Sequence, residues 1–546
     1  MREIQQMMLS LVLVCTFSLS ASAGEAGSGR VYSVIDLTFT GPMQGPRDTP
    51  ARDIIFHATF THESGSPEYQ IHGFWDGDGR GASQGNVFKI RFCPTKRGRW
   101  IISDVYSNEE LLNDQKEDDY ITARSNDHPG FWIVDEDSPD RRWYRRSDGS
   151  HHYIFGNTMY SFLSGSYVNN QSSGNDIKRD IQGNAEYFRK LRFALHGDRY
   201  PNPNVKPYFD DEGNPTDDGD FSVRPNPEWF HSRVDLAVRT AYEEDLIADL
   251  ILAGPDTEDS RSTLRAGGND GDPEPYLRYI AARYGSFPNV WICLANEFEI
   301  REPKWEPRDI ARFGGTIVKY LPYPTPLSVH STPNTLWAAE FDKYTRWYDH
   351  LIIQDKIRNL AQAADVVQKA RRKPDGGMRN LPVINDELSY EGEGDKHSEE
   401  DTIESHLGIF AGGAYGTTGE KPGNKLGQYF RGRFNAQEHK SADNLKWLGE
   451  VIDQKITFWK MRPDKTIFSN LGEDFRGMAW KGKEYILATN SAKEDLKAEL
   501  PQGKWSVTQY NVINKEQLEL APDAEGEFIF KSPDSRAVLF HFKKVE

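Results

Sequence analysis

The 546-residue sequence predicts a multidomain chain: a central (β/α)8 TIM barrel flanked by an N-terminal and a C-terminal antiparallel β-sandwich. Three observations predict it. From about residue 130 to 462, apolar runs with polar tips alternate with stretches of helical spacing, the pattern of a parallel sheet wrapped by helices. Residues 30–125 and 465–546 show instead the two-residue alternation of half-buried strands. Two glutamates, Glu297 and Glu387, each close an apolar run, and the carboxyl ends of barrel strands are where such folds place their chemistry.

The first 23 residues read as a secretory signal peptide. Met1-Arg2-Glu3 is a short polar head, residues 7–20 are apolar, and Ala21-Ser22-Ala23 is a small-residue cleavage site. Cys15 follows Val14, where a lipoprotein signal needs a small residue. The mature protein is therefore expected outside the cytoplasm, secreted or periplasmic. No later run is long enough to span a membrane. Only Cys93 and Cys293 then remain, in different domains, so neither a disulfide nor a cysteine-based metal site is expected.

In residues 30–125, Val87-Phe88-Lys89-Ile90-Arg91-Phe92 alternates as a half-buried strand does, and Trp100 and Ile102 continue after a turn at Arg97-Gly98. Asp76-Gly77-Asp78-Gly79 reads as a turn, since a calcium loop would close on a glutamate at its twelfth position. The barrel strands follow in order. Residues 153–156 are the first and 193–196 the second. The third, 246–253, follows a helix bearing Val234, Ala237, Val238 and Ala241. The fourth, 290–295, lies between helices at 276–284 and 308–320. The fifth is 327–330, and the sixth, 350–354, leads to a helix from Lys356 to about Arg372. The seventh, 381–384, runs into Asn385-Asp386-Glu387, and the eighth is 414–417. Long loops rich in Pro, Gly, Asp and Asn follow strands two and three and shape a cleft. Residues 485–488, 505–508, 528–530 and 538–540 are the short strands of the last domain.

The formal net charge of −17 disfavours nucleic acid and anionic membranes as partners, because both require a basic face. Aromatic residues make up 12% of the chain and supply large cores as well as rings able to stack on sugars. Glu297 and Glu387 are ninety residues apart, so only a closed barrel brings them together. Two carboxyl groups flanking a glycosidic bond are the minimum for its hydrolysis, one kept protonated and the other ionised. Each has an ordinary rival reading. Asn296-Glu297 can serve as a helix cap, Glu299 competes as the acid, and Glu391 reads as a binding or surface group. His196 and His330 line the mouth as substrate contacts or structural hydrogen-bonders. Asn157 and Tyr160 after strand one, and Tyr415 at strand eight, are sugar contacts or core residues. Trp305, Trp337 and Trp347 lie after strands and read as packing by default, with a sugar-stacking platform as the alternative for one of them, and His151-His152 reads as structural. No cofactor is called for, and neither a nucleophile elbow nor a His-Glu-x-x-His run is present.

Asn296-Glu297 after strand four, with Glu387 after strand seven, resembles the large clan of retaining glycosidases built on this barrel. The resemblance implies that Glu297 is the acid/base, that Glu387 is the nucleophile, and that Asn296 binds the hydroxyl beside the anomeric carbon. Asp386-Glu387-Leu388-Ser389-Tyr390-Glu391-Gly392 and Gly412-Gly413-Ala414-Tyr415-Gly416-Thr417-Thr418-Gly419 are similar to the apiosidase-like barrel family, which commonly carries a C-terminal sandwich of the collagen-binding type. Phe39-Thr40-Gly41-Pro42, Gly73-Phe74-Trp75-Asp76-Gly77-Asp78-Gly79, Arg91-Phe92-Cys93-Pro94 and Gly98-Arg99-Trp100 resemble the sandwich ahead of certain glycosidase barrels. In the wider clan a tyrosine on strand six often holds the nucleophile. Here that strand ends Ile353-Gln354-Asp355, and Gln354 is the substitute donor. Apiose specificity does not carry over, because nothing in these motifs reads that sugar. The function expected is a secreted glycoside hydrolase that cleaves O-glycosidic bonds of a polysaccharide or oligosaccharide by retaining double displacement. An inverting glycosidase on the same barrel, or a non-catalytic glycan-binding or adhesion protein, is the alternative.

Overall fold

The computed structural model describes residues 24–164, 173–196, 205–254, 257–265, 271–332, 336–357, 359–392, 397–420 and 434–545. The expected signal peptide lies outside them. Eight parallel strands form the central sheet: β1 (Phe155–Thr158), β2 (Lys190–Ala194), β3 (Ile247–Ala253), β4 (Val290–Ala295), β5 (Leu327–Ser328), β6 (Leu351–Ile353), β7 (Val383–Glu391) and β8 (Tyr415–Glu420). They run β5-β4-β3-β2-β1-β8-β7-β6, a barrel whose one open seam lies between β5 and β6. Asp349 laces that seam. Its backbone N–H donates to the Leu327 carbonyl at 2.8 Å, and its carboxylate accepts the Leu327 N–H at 3.1 Å. Ser328 Oγ adds a bond to the His350 carbonyl at 2.7 Å. Strands β2, β3 and β4 are buried at every residue, as strands covered on both faces must be.

Helices α1 (Gly174–Ala185), α2 (Leu236–Glu243), α3 (Glu274–Tyr284), α4 (Pro307–Val318), α5 (Leu360–Arg371), α6 (Glu399–Ala411) and α7 (Ser441–Lys455) surround the sheet. Capping boxes start α1 at Ser173/Asp176 and α6 at Ser398/Asp401. The helix expected from Lys356 begins later, at Leu360. Asn359 Oδ1 accepts the N–H groups of Ala361 and Gln362 and fixes the first turn there. α5 and α6 approach closely because Gly408 faces Leu360; a Cβ there would lie 2.3 Å from the Leu360 carbonyl.

A hairpin, Trp132–Val134 with Tyr144–Arg146, closes the amino end of the barrel. The Tyr144 ring packs 4.6 Å from Trp291, and its hydroxyl bonds His350 Nδ1 at 2.9 Å. Above this aromatic floor lies a polar layer. The Lys190 ammonium bonds Asp249 at 2.9 Å and also Asp386, and Thr417 Oγ1 donates to Asp386 at 2.6 Å. Gly156 makes room for it: a Cβ there would meet Thr417 Oγ1 at 2.6 Å and the Lys190 side chain at 3.0 Å. Buried charges persist only when paired in this way.

A five-stranded and a three-stranded sheet form the N-terminal sandwich, and a six-stranded and a three-stranded sheet the C-terminal one. The Asp76–Gly79 turn serves the first of these junctions. Asp76 pairs with Lys89 at 2.6 Å and with Arg283 of α3 at 2.9 Å, while Asp235 takes Arg91 at 2.5 Å and Arg283 at 2.7 Å. The two guanidiniums hold the Asp235 carboxyl far below the usual carboxylate range. At the other end, Met478, Ile486 and Leu539 share one core with Leu407 and Phe410 of α6 and Leu448 and Ile452 of α7. Arg536 adds bonds to Asp401 and Glu404. Among the described residues no helix is long and apolar enough to cross a membrane.

Candidate active site

Glu297 lies two residues past the end of β4 and sits in the left-handed region, φ 46°. A non-glycine residue there stores strain, and such residues gather at working sites. Glu387 lies within β7 at a break in register: Asn385 pairs with Gly416, but Ser389 pairs with Thr418. Strict alternation would send Asp386 and Glu387 to opposite faces. The bulge turns both inward, Asp386 down to Lys190 and Thr417, and Glu387 up to the mouth.

The two glutamates meet through Gln354, the residue after β6. Its Nε2 donates to Glu297 Oε1 at 2.9 Å and to Glu387 Oε2 at 2.8 Å. An amide nitrogen carries two hydrogens, and here each is used. Tyr160, after β1, donates to Glu387 Oε1. Arg192 of β2 lies beneath, fully buried. Its Nη1 donates to the Tyr160 hydroxyl at 2.8 Å, its Nη2 bonds Asn296 Oδ1, and it stands 3.9 Å from both Asp386 and Glu387. That ring of acidic and phenolic oxygens holds the guanidinium firmly charged against burial.

Asn296 is therefore anchored by its oxygen, while its buried Nδ2 has no hydrogen-bond partner among the described residues. His330 Nε2 lies 3.8 Å from Glu387 Oε1. Burial, then the nearby Arg192, push its imidazole well below its ordinary value, and among the described residues neither ring nitrogen has a hydrogen-bond partner. His196 lies two residues past the end of β2, and among the described residues neither of its nitrogens has a hydrogen-bond partner; burial lowers it to about 4.

Two expected sugar contacts lie elsewhere. Tyr415 is the first residue of β8, not near its end. Its hydroxyl accepts the Tyr144 N–H at 2.9 Å, and its ring packs 5.4 Å from Trp143, on the barrel floor. Asn157 alternates outward and donates to Asn184 of α1 at 2.6 Å. Of the rival acids, Glu299 accepts the Thr332 N–H at 2.9 Å, and Glu391 accepts the Lys440 and Ser441 N–H groups and the Ser441 hydroxyl. Trp337 and Trp347 are buried against Phe341 and Tyr348. His151 bonds Asp135 at 2.8 Å.

Sequence reasoning missed Lys190 and Arg192. Their signal is present in Lys190-Leu191-Arg192-Phe193-Ala194: two cations two residues apart at the head of a fully buried strand share one face and must be paired inside.

Residues 166–418 match the apiosidase-like catalytic domain, and residues 29–102 match a domain of unknown function, DUF5060. A Bacteroides vulgatus protein assigned as a glycoside hydrolase has a solved structure with TM-score 0.71 and 21% identity, the alignment covering 95% of this chain and 100% of that one. A glycoside hydrolase family 5 protein of the same organism gives TM-score 0.59 and 12% identity, over 76% of this chain and 94% of the other. These likenesses establish the fold. No curated protein matches the chain.

Proposed function

We propose that this glycoside hydrolase, whose barrel carries the apiosidase-like catalytic domain, cleaves O-glycosidic bonds of an oligosaccharide or polysaccharide with retention of configuration. One observation carries the reading: a single nitrogen, Gln354 Nε2, bonds both carboxylates. The two oxygens so bonded, Glu297 Oε1 and Glu387 Oε2, are at most about 5.7 Å apart, the sum of those two bonds, which holds the carboxylates close together. Retaining enzymes keep the two groups about 5–5.5 Å apart, while inverting ones need roughly 6.5–9.5 Å to admit a water.

The surroundings divide the roles. Glu387 is met by the Tyr160 hydroxyl, the Gln354 amide and, at longer range, Arg192, all of which complement a negative charge on it. That suits a nucleophile. Glu297 accepts from the Gln354 amide and is more open to the mouth than Glu387, which suits a group that exchanges protons with the leaving group and water. Glu387 attacks the anomeric carbon as the bond to the leaving oxygen breaks and Glu297 protonates that oxygen. Glu297 then takes a proton from water, which attacks the same carbon and releases Glu387. The Asn296 Nδ2 hydrogens are available to the neighbouring sugar hydroxyl.

Glu387→Ala should lower turnover of an aryl glycoside more than about 1,000-fold. Azide should then restore product as a glycosyl azide of inverted configuration. Near-normal activity in that variant, or inversion by the wild-type enzyme, overturns the reading. We further propose export with removal of residues 1–23; a mature N-terminus at Gly24 supports it, and an intact Met1 in the exported fraction contradicts it.

A further inference from the structure

We infer that Tyr160 is the positioning residue of Glu387, and that Arg192 and Tyr390 together oblige it to donate; this rests on Glu387 being the nucleophile. A phenol offers one proton and two acceptor lone pairs. Into the Tyr160 oxygen Arg192 Nη1 donates at 2.8 Å, and a guanidinium cannot accept. The Tyr390 hydroxyl lies 3.2 Å away and Glu387 Oε1 lies on the other side. Between an ionised carboxylate and a phenol, the carboxylate is the stronger acceptor. The Tyr160 proton therefore goes to Glu387, and the second lone pair of Tyr160 takes the Tyr390 proton. The donors form a directed file: Tyr390 to Tyr160 to Glu387.

The consequence is geometric. Glu387 Oε1 is held from the β1 side by a phenol and Oε2 from the β6 side by the Gln354 amide. With each oxygen fixed by a different element, the carboxylate cannot rotate about its terminal bond, and a held attack angle is a large part of what a nucleophile's surroundings contribute. In the clan described above, one tyrosine on strand six does this holding. Here the duty is divided between two strands on opposite sides of β7 and β8. Tyr160 is 3% exposed, Tyr390 2% and Arg192 0%, so a hydroxyl removed there is not readily replaced by solvent.

The test compares Tyr160→Phe and Tyr390→Phe with wild type on one aryl glycoside across pH. Tyr160→Phe should lower kcat about 100-fold with KM within about threefold, a loss of the size seen for one preorganised donor. The acid limb of kcat/KM should move to higher pH, since losing a donor favours the protonated form of a carboxylate. Tyr390→Phe should move both readouts the same way, with kcat down about fivefold. A merely structural role lowers the folded fraction and leaves the acid limb in place. Wild-type kcat and acid limb in Tyr160→Phe overturn the inference; if that variant does not fold, an unmoved acid limb in Tyr390→Phe overturns it. The Glu387→Ala azide experiment judges the nucleophile separately. Azide rescue alongside a silent Tyr160→Phe sinks this inference alone, and full activity in Glu387→Ala sinks the reading beneath it.

Discussion

Gln354 spends both its amide hydrogens on acids that must behave differently. Removing the amide while keeping the volume, as in Gln354→Leu, should lower kcat about 100-fold at nearly constant KM, because the loss falls on alignment in the transition state. Tyr415→Phe is the contrast. It should leave kcat unchanged and cost about 1 kcal/mol of stability in urea unfolding, since its hydroxyl only satisfies the Tyr144 N–H on the barrel floor. At this scale the sequence was most legible where a run of buried residues ended abruptly. Asn296 and Glu297 follow such a run, whereas Glu387, read as closing one, lies within β7 and the buried run continues past it. Arg192 was not legible in this way, because reading the second strand from Phe193 omits the charged residues that begin it. Tyr415 was displaced for the converse reason: β8 runs on to Glu420, so a residue read as near its end is its first.

Among the elements, β7 carries the most information per residue. Its bulge is what lets neighbouring acids serve two different layers, and no periodicity in the sequence announces it. The same strand ends in Glu391, whose carboxylate receives the first N–H groups of α7. The strand bearing the proposed nucleophile is thus tied at its far end to a helix. Glu391→Ala should lower stability by about 1–2 kcal/mol, read as an earlier urea midpoint, with kcat nearly unchanged. Capping boxes at Ser173 and Ser398 set the starts of α1 and α6, which the sequence reading did not name. The start of α5 was misread because Asn359, not the charge of Lys356, sets the boundary.

For the whole molecule, acid sensitivity follows from buried imidazoles. Burial lowers His196 and His406 to about 4 and His350 and His439 to about 3, and it also lowers His330 well below its ordinary value. Between an unfolded value near 6.5 and these folded values, the unfolded chain binds more protons than the folded one. Stability is then complete above about pH 6.5 and falls as pH drops toward 4, each such histidine contributing about 1.4 kcal/mol per pH unit where it is neutral only in the fold. Asp235, held low by Arg91 and Arg283, adds loss only at lower pH, as pH falls through its folded value. Thermal unfolding followed from pH 7 to pH 4 should show a steadily falling midpoint; a flat profile would contradict the burial of these rings. The three-part architecture was legible because each part has its own hydrophobic period. The docking of the parts was not, since Asp76 and Arg91 of the N-terminal sandwich meet Asp235 and Arg283 of the barrel only once both are folded.

A cask is as sound as the joint where its hoop is fastened. Seven of the eight joints here are woven by backbone ladders, and the eighth is held chiefly by Asp349 and Ser328. Gln354 stands on the stave beside that fastening, so when the cask first springs a leak with heat, the two acids lose their shared grip before the rest of the wood gives way.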